Sequence, residues 1–212
     1  MDRSILLIYT GGTIGMKIDP QSQALAPFDF SHILEEVPEL KKFGYKLDSY
    51  SFDPVIDSSD ANIPFWQEIA RIIEENYSKY DGFVVLHGTD TMSYTASMLS
   101  FMLENLGKPV IFTGSQLPIG MLRTDGKENL ISSIEIAAAK DEEDRAMVPE
   151  VCVYFESQLY RGNRTTKYNA ENFRAFRSAN FPVLADVGIH IKFHQELIRY
   201  PKWGKEFKVH YN

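Results

Sequence analysis

A single cysteine, Cys152, is all the chain holds in 212 residues. No internal disulfide can form, which excludes a disulfide-stapled miniature fold and fits a reducing compartment. No apolar run approaches the ~18 residues that a membrane-spanning helix needs. Met1-Asp2-Arg3-Ser4 passes straight into the apolar run Ile5 to Tyr9, too short for a secretory signal and without a small-residue cleavage site, so the expected location is cytoplasmic. Internal repeats and low-complexity tracts are absent. Positive charge is also scarce: 22 Lys and Arg stand against 29 Asp and Glu, a net charge of −7. Nucleic acid and anionic membrane are therefore disfavoured as partners, since both need clustered cations to displace counterions, and a small molecule or another protein is expected. Only His190 and His194 among the five histidines are spaced four apart, with Ile191, Lys192 and Phe193 between them, which reads as an extended segment and not a metal-binding helix.

What is present is ordinary globular material. The hydrophobic share of 44%, with 24% charged, excludes disorder and collagen-like structure. The length allows one large domain, or one domain with a fragment of another. Strand-like runs occur at Ile5 to Tyr9, Lys46 to Ile56, Gly82 to Leu86, Pro109 to Thr113 and Val151 to Phe155. Helical periodicity separates them: Trp66, Ile69, Ile72, Ile73 and Tyr77 share one face of Pro64 to Tyr80, and a third helix is expected over Asp125 to Lys140. Ser93 to Leu106 is apolar nearly all round, which predicts a helix buried on more than one side. Short apolar strands alternating with helices give an α/β class, a largely parallel sheet flanked by helices on both faces. Past Asp186 the pattern fades into a basic tail, and a domain over 1–188 with a linker over 189–212 is the expected division. A strand or hairpin is expected around Phe207 to His210. Cys152, inside Val151 to Phe155, reads as core packing.

Function in such sheets collects beyond the carboxyl ends of the strands. There the sequence places Thr10-Gly11-Gly12-Thr13-Ile14-Gly15, then Asp57-Ser58-Ser59-Asp60, His87-Gly88-Thr89-Asp90-Thr91, Gly114-Ser115-Gln116 and, further on, Arg161 to Lys167. Hydroxyls, carboxylates and a lysine on one edge suit nucleophilic attack on a carbonyl better than hydride or metal chemistry. Each piece has a plainer explanation. Gly11 and Gly12 allow a tight turn with or without a ligand, and their spacing matches neither the dinucleotide nor the P-loop pattern. Asp90 or Thr91 could cap the helix that follows, and the Asp57 loop could cap the helix at Pro64. His87 reads as an interior histidine, and Lys167 alone is one surface lysine among many.

Two stretches, Leu7-Ile8-Tyr9-Thr10-Gly11-Gly12-Thr13-Ile14-Gly15 and Gly82-Phe83-Val84-Val85-Leu86-His87-Gly88-Thr89-Asp90-Thr91-Met92, resemble the two signature motifs of the bacterial-type L-asparaginases. The likeness continues through Asp57 to Asp60, Ser100 to Pro109, Thr113 to Gln116 and Arg161 to Lys167, covers nearly the whole chain, and is closest to the cytoplasmic type I branch. The resemblance implies a Rossmann- or flavodoxin-like N-terminal domain that hydrolyses L-asparagine to aspartate and ammonia, with no metal or cofactor. It also implies Thr13 as the nucleophile that becomes an aspartyl ester. Thr89, Asp90 and Lys167 would relay protons and orient water, while Asp57, Ser58 and Ser59, with Thr89 and Asp90, would hold the substrate. Members of the family associate as dimers or tetramers, with a smaller C-terminal domain that completes the site of a neighbour; that domain is absent from these 212 residues, which makes a non-catalytic amino-acid-binding fragment an alternative to the hydrolase. The type I branch also carries an allosteric asparagine site, to which Thr166 corresponds as a coupling residue. Where relatives place a tyrosine in the loop after the glycine turn, this chain has Gln23-Ala24-Leu25-Ala26-Pro27. The asparaginase-like subunit of a transfer-RNA-dependent amidotransferase shares these motifs and is the alternative, against which the acidic balance speaks.

Overall fold

A computed structural model describes residues 3–19, 21, 22, 24–27 and 33–212. Eight strands form the main sheet: β1 Ser4–Tyr9, β2 Lys46–Ser51, β3 Gly82–Leu86, β4 Val110–Thr113, β5 Val151–Phe155, β6 Gln158–Arg161, β7 Ala185–Val187 and β8 Ile191–Phe193. Their order is β8-β7-β6-β5-β4-β3-β1-β2. The first five strands in the chain run parallel. β6, β7 and β8 continue the sheet antiparallel. A two-residue turn reverses the chain between β5 and β6, with Glu156 and Ser157 at φ 45° and 65°, the sign that matches strand twist in tight hairpins.

The parallel strands are buried on both faces because alternate residues enter two different cores. Ile5 and Leu7 of β1, Val84 of β3 and Tyr154 of β5 pack with Leu130 and Ile134 of α3 (Gly126–Ala138). Leu6, Ile8, Phe83 and Val85 face the other way, against Phe65, Ile69 and Ile73 of α1 (Ile63–Asn76) and Leu99 of α2 (Met92–Met102). Cys152 is fully buried in the first of these cores. Among the described residues no helix is long and apolar enough to cross a membrane.

Several boundaries differ from expectation, each for a local reason. β2 stops at Ser51, since Pro54 has no N–H to give a ladder. α1 starts earlier than Pro64 because Asn62 caps it, its side-chain oxygen accepting from Phe65 N at 3.1 Å. The Asp57 loop is thus not that helix's cap; Asp57 caps its own short turn over Ser58–Asp60, accepting from Ser59 N at 2.9 Å. α2 ends at Met102, and Leu103–Glu104 instead pairs antiparallel with Lys208–Val209. Its outer face is not buried as its composition suggests: Tyr94 and Phe101 are 67% and 69% exposed. The tail from 189 packs back on the domain, with β8 as the edge of the sheet and Arg199 N donating to Glu150 Oε1 at 2.6 Å. His194 bonds Asp186 through Nε2 at 2.8 Å within this edge.

Candidate active site

The five parallel strands stand in the order β2-β1-β3-β4-β5, the doubly wound arrangement whose connections leave the sheet in opposite directions from β1 and β3. A crevice opens where they part, beyond the carboxyl ends of those two strands. There the glycine turn after β1 meets the His87-Gly88 turn after β3. Gly12, at φ 90°, approaches so closely that a Cβ on it would lie 2.6 Å from Gly88 N. Gly88 is equally confined, since a Cβ there would lie 2.5 Å from Ser58 Oγ. No larger side chain fits either place, and Gly12 also holds a backbone angle that side chains resist. Thr13 and Thr89, each one residue past the touching glycines, are thereby fixed on the walls of one cleft.

That cleft has a volume of about 360 Å³ and is lined by Thr13, Asp57, Ser58, Thr89 and Asp90 together with Gly12, Met16, Val55, Ile56 and Gly88. This is the lower end of the range for small-molecule sites, room for one small amino acid. Thr13 opens a single turn over Thr13–Gly15. Beneath that turn Tyr9 is 1% exposed, and its hydroxyl lies 3.5 Å from Gly12 O. Burial pushes the Tyr9 phenol up to about 12, so it stays protonated and supports the turn from below. In the stretch matching the family's loop tyrosine, Leu25–Pro27 pairs with Met16–Ile18; Gln23 lies outside the described residues.

Lys167 reaches the cluster from the far end of the domain. Its Nζ donates to Thr89 Oγ1 at 2.8 Å and to Asp90 Oδ1 at 2.7 Å. The Asp90 side chain is 70% exposed, so the ion pair adds little stability and its consequence is placement of the ammonium. Neither Asp90 nor Thr91 caps α2 with its side chain. Thr91 Oγ1 instead donates to Ser58 O at 2.6 Å, tying the Asp57 loop to the turn after β3. Asp57 accepts from both the backbone and the hydroxyl of Ser59 at 2.9 Å, and these bonds, the backbone one foremost, hold its carboxyl below the usual range. All seven residues singled out by motif therefore gather at one sheet edge. His87 does not line the cleft; it is enclosed between Phe65 and Phe112.

One contributor escaped the sequence reading. Gln116, half-buried after β4, accepts from Thr89 Oγ1 at 3.3 Å. It belongs to no charged or nucleophilic class; the sequence placed it at a strand's carboxyl end and in the Thr113 to Gln116 stretch of the resemblance, without a role.

Residues 4–199 match the family described as Asparaginase, N-terminal. L-asparaginase 1 of Escherichia coli (strain K12) is 48% identical over 191 residues, covering 90% of this chain and 55% of the relative. A 60 kDa lysophospholipase of Mus musculus is 42% identical over 219 residues, covering 93% of this chain and 38% of the relative. The crystal structure of L-asparaginase I from Vibrio cholerae superposes with a TM-score of 0.85 at 42% identity, over 99% of this chain and 61% of that one. The chain thus spans about half the length, or less, of these two curated relatives. With its sheet order, touching glycine turns and lysine-bridged cluster all on one edge, the chain belongs to the asparaginase family and corresponds to its N-terminal domain.

Proposed function

We propose that this domain carries the nucleophilic half of an L-asparagine amidohydrolase. The observation that carries the reading is the bridge from Lys167 Nζ to Thr89 Oγ1 and Asp90 Oδ1, on the wall of the cleft that Thr13 also lines. A threonine hydroxyl is a weak nucleophile and needs a proton acceptor and donors aimed at the developing oxyanion. The Thr13 hydroxyl oxygen attacks the side-chain amide carbon, the proton it gives up passes to the amide nitrogen, the C–N bond breaks, and that nitrogen leaves as ammonia. An aspartyl ester of Thr13 remains. Water held at Thr89 then attacks the ester carbon, the bond from that carbon to the Thr13 oxygen breaks, and the water's proton passes through the Thr89 hydroxyl to the Thr13 oxygen, with the Lys167 ammonium holding Thr89 and Asp90 in place; aspartate departs.

Substrate recognition follows from the same walls. Ser58 meets the substrate's α-carboxylate with its hydroxyl, Asp57 and Ser59 brace the loop that carries it through their own bonds, and Asp90 supplies the anion for the α-amino group. The reading needs no metal or cofactor, and includes self-association as a dimer or tetramer and a cytoplasmic location. The expected partner is L-asparagine, with neither nucleic acid nor membrane. Lys167→Met keeps the length of the stem and removes the ammonium; ammonia release from L-asparagine should fall by about a thousandfold, the scale of a lost proton-transfer group. Activity within about threefold of the unaltered chain would count against the assignment of Lys167.

A further inference from the structure

Gln116 bonds the tip of the hairpin that carries Lys167. Lys167 sits in a ladder of only two residues a side, Thr166–Lys167 against Phe176–Arg177. A pairing that short is marginal by itself, and the residues 168–172 at its tip are largely exposed. Gln116 Nε2 donates to Ala170 O and to Asn172 O, both at 3.1 Å, so the tip is fastened to the loop after β4. The fastening point is itself rigid, because Gln116 N and Leu117 N donate to the Asp125 carboxylate at 2.9 to 3.1 Å.

The two carbonyls also settle which way the amide faces. A carbonyl only accepts, so the NH2 group must point at Ala170 and Asn172 and the oxygen must point at Thr89. Lys167 Nζ, donating to Asp90 and Thr89, uses the Thr89 oxygen as an acceptor. The Thr89 proton is therefore directed to Gln116 Oε1, and the hydroxyl's remaining lone pair is left for the cleft. At 3.3 Å this is a long hydroxyl bond, the weakest link in the cluster and the easiest to release when Thr89 passes its proton elsewhere.

We propose that Gln116 is a positioning residue that ties the 168–175 hairpin tip to the Thr89 hydroxyl and so holds Lys167 against Thr89 and Asp90. Its effect on turnover rests on the hydrolase reading given above; its effect on the hairpin does not. Two variants test it. Gln116→Met keeps the volume and loses donors and acceptor together, while Gln116→Glu keeps one oxygen as acceptor for Thr89 and turns the other, which cannot donate, toward the carbonyls of Ala170 and Asn172. In both, amide hydrogen exchange over 168–176 should quicken by about tenfold while exchange in β1 and β3 stays as it was. In both, kcat for ammonia release should fall by about tenfold to a hundredfold, the cost of a displaced group, with KM changed less than about threefold. Unchanged exchange at the hairpin in both variants would overturn the tether, and faster exchange with unchanged kcat would overturn its catalytic consequence. An unaltered chain that releases no ammonia would count against the hydrolase reading alone, and the exchange rates would then decide the tether on their own.

Discussion

His87 is the last residue before the Gly88 turn and is 1% exposed. Its Nδ1 lies 2.7 Å from Gly88 O, and since a carbonyl only accepts, Nδ1 carries the proton. Nε2 is buried and has no hydrogen-bond partner among the described residues. Desolvation lowers the imidazole pKa from 6.5 to about 4, against a weaker upward pull from the Gly88 carbonyl. Between those two pH values the unfolded chain binds a proton that the folded chain refuses. Stability is therefore untouched above pH 6.5 and declines as pH falls toward 4, by about 3 kcal/mol in all. His87→Asn retains a donor for Gly88 O and does not titrate. Urea unfolding at pH 7 and pH 4.5 should show this variant losing about 2 kcal/mol less than the unaltered chain over that interval; equal losses would refute the cause. At this scale motifs singled out the charged and hydroxyl groups that meet at the cleft and gave Gln116 no role, because its contacts depend on which three oxygens surround its amide.

Glu150, just before β5, shows how elements are joined away from the cleft. Both its carboxylate oxygens bind the Arg161 guanidinium of β6, at 2.7 and 3.0 Å, and Oε1 also accepts from Arg199 N. Arg161 Nη2 reaches Leu197 O at 2.7 Å. The side chains are 10% and 4% exposed. Removing one partner strands a buried charge, so Glu150→Ala should cost about 3–5 kcal/mol in chemical unfolding. A loss below about 1 kcal/mol would mean the pair is solvated in solution. This link explains why the tail reads poorly from sequence. Its strands are two and three residues long, too short for periodicity, and its attachment runs through a glutamate and backbone groups of distant elements. α2 misled for a related reason: apolar composition reports how much surface a helix could bury, and Tyr94 and Phe101 remain outside. The parallel strands were legible because each is a continuous apolar run between turn residues, and Gly82–Leu86 and Val151–Phe155 match their expected bounds.

For the molecule as a whole, the strand order could not be read from the chain, since periodicity says nothing of which strands are neighbours. The rule that chemistry gathers at carboxyl ends nevertheless pointed to the edge where these residues meet before the order was known. The order adds the location of the crevice, between β1 and β3, where two glycine turns bring Thr13 and Thr89 to one cleft. Contact between those turns depends on residues 76 positions apart, and only the sheet supplies it. In the proposed reaction Thr13 becomes an aspartyl ester, which acid-quenched mass spectrometry of the chain mixed with L-asparagine would trap. One aspartyl group is expected on the peptide that contains Thr13, absent after Thr13→Ala together with ammonia release. An aspartyl group found on Thr89, or ammonia release undiminished in Thr13→Ala, would contradict it.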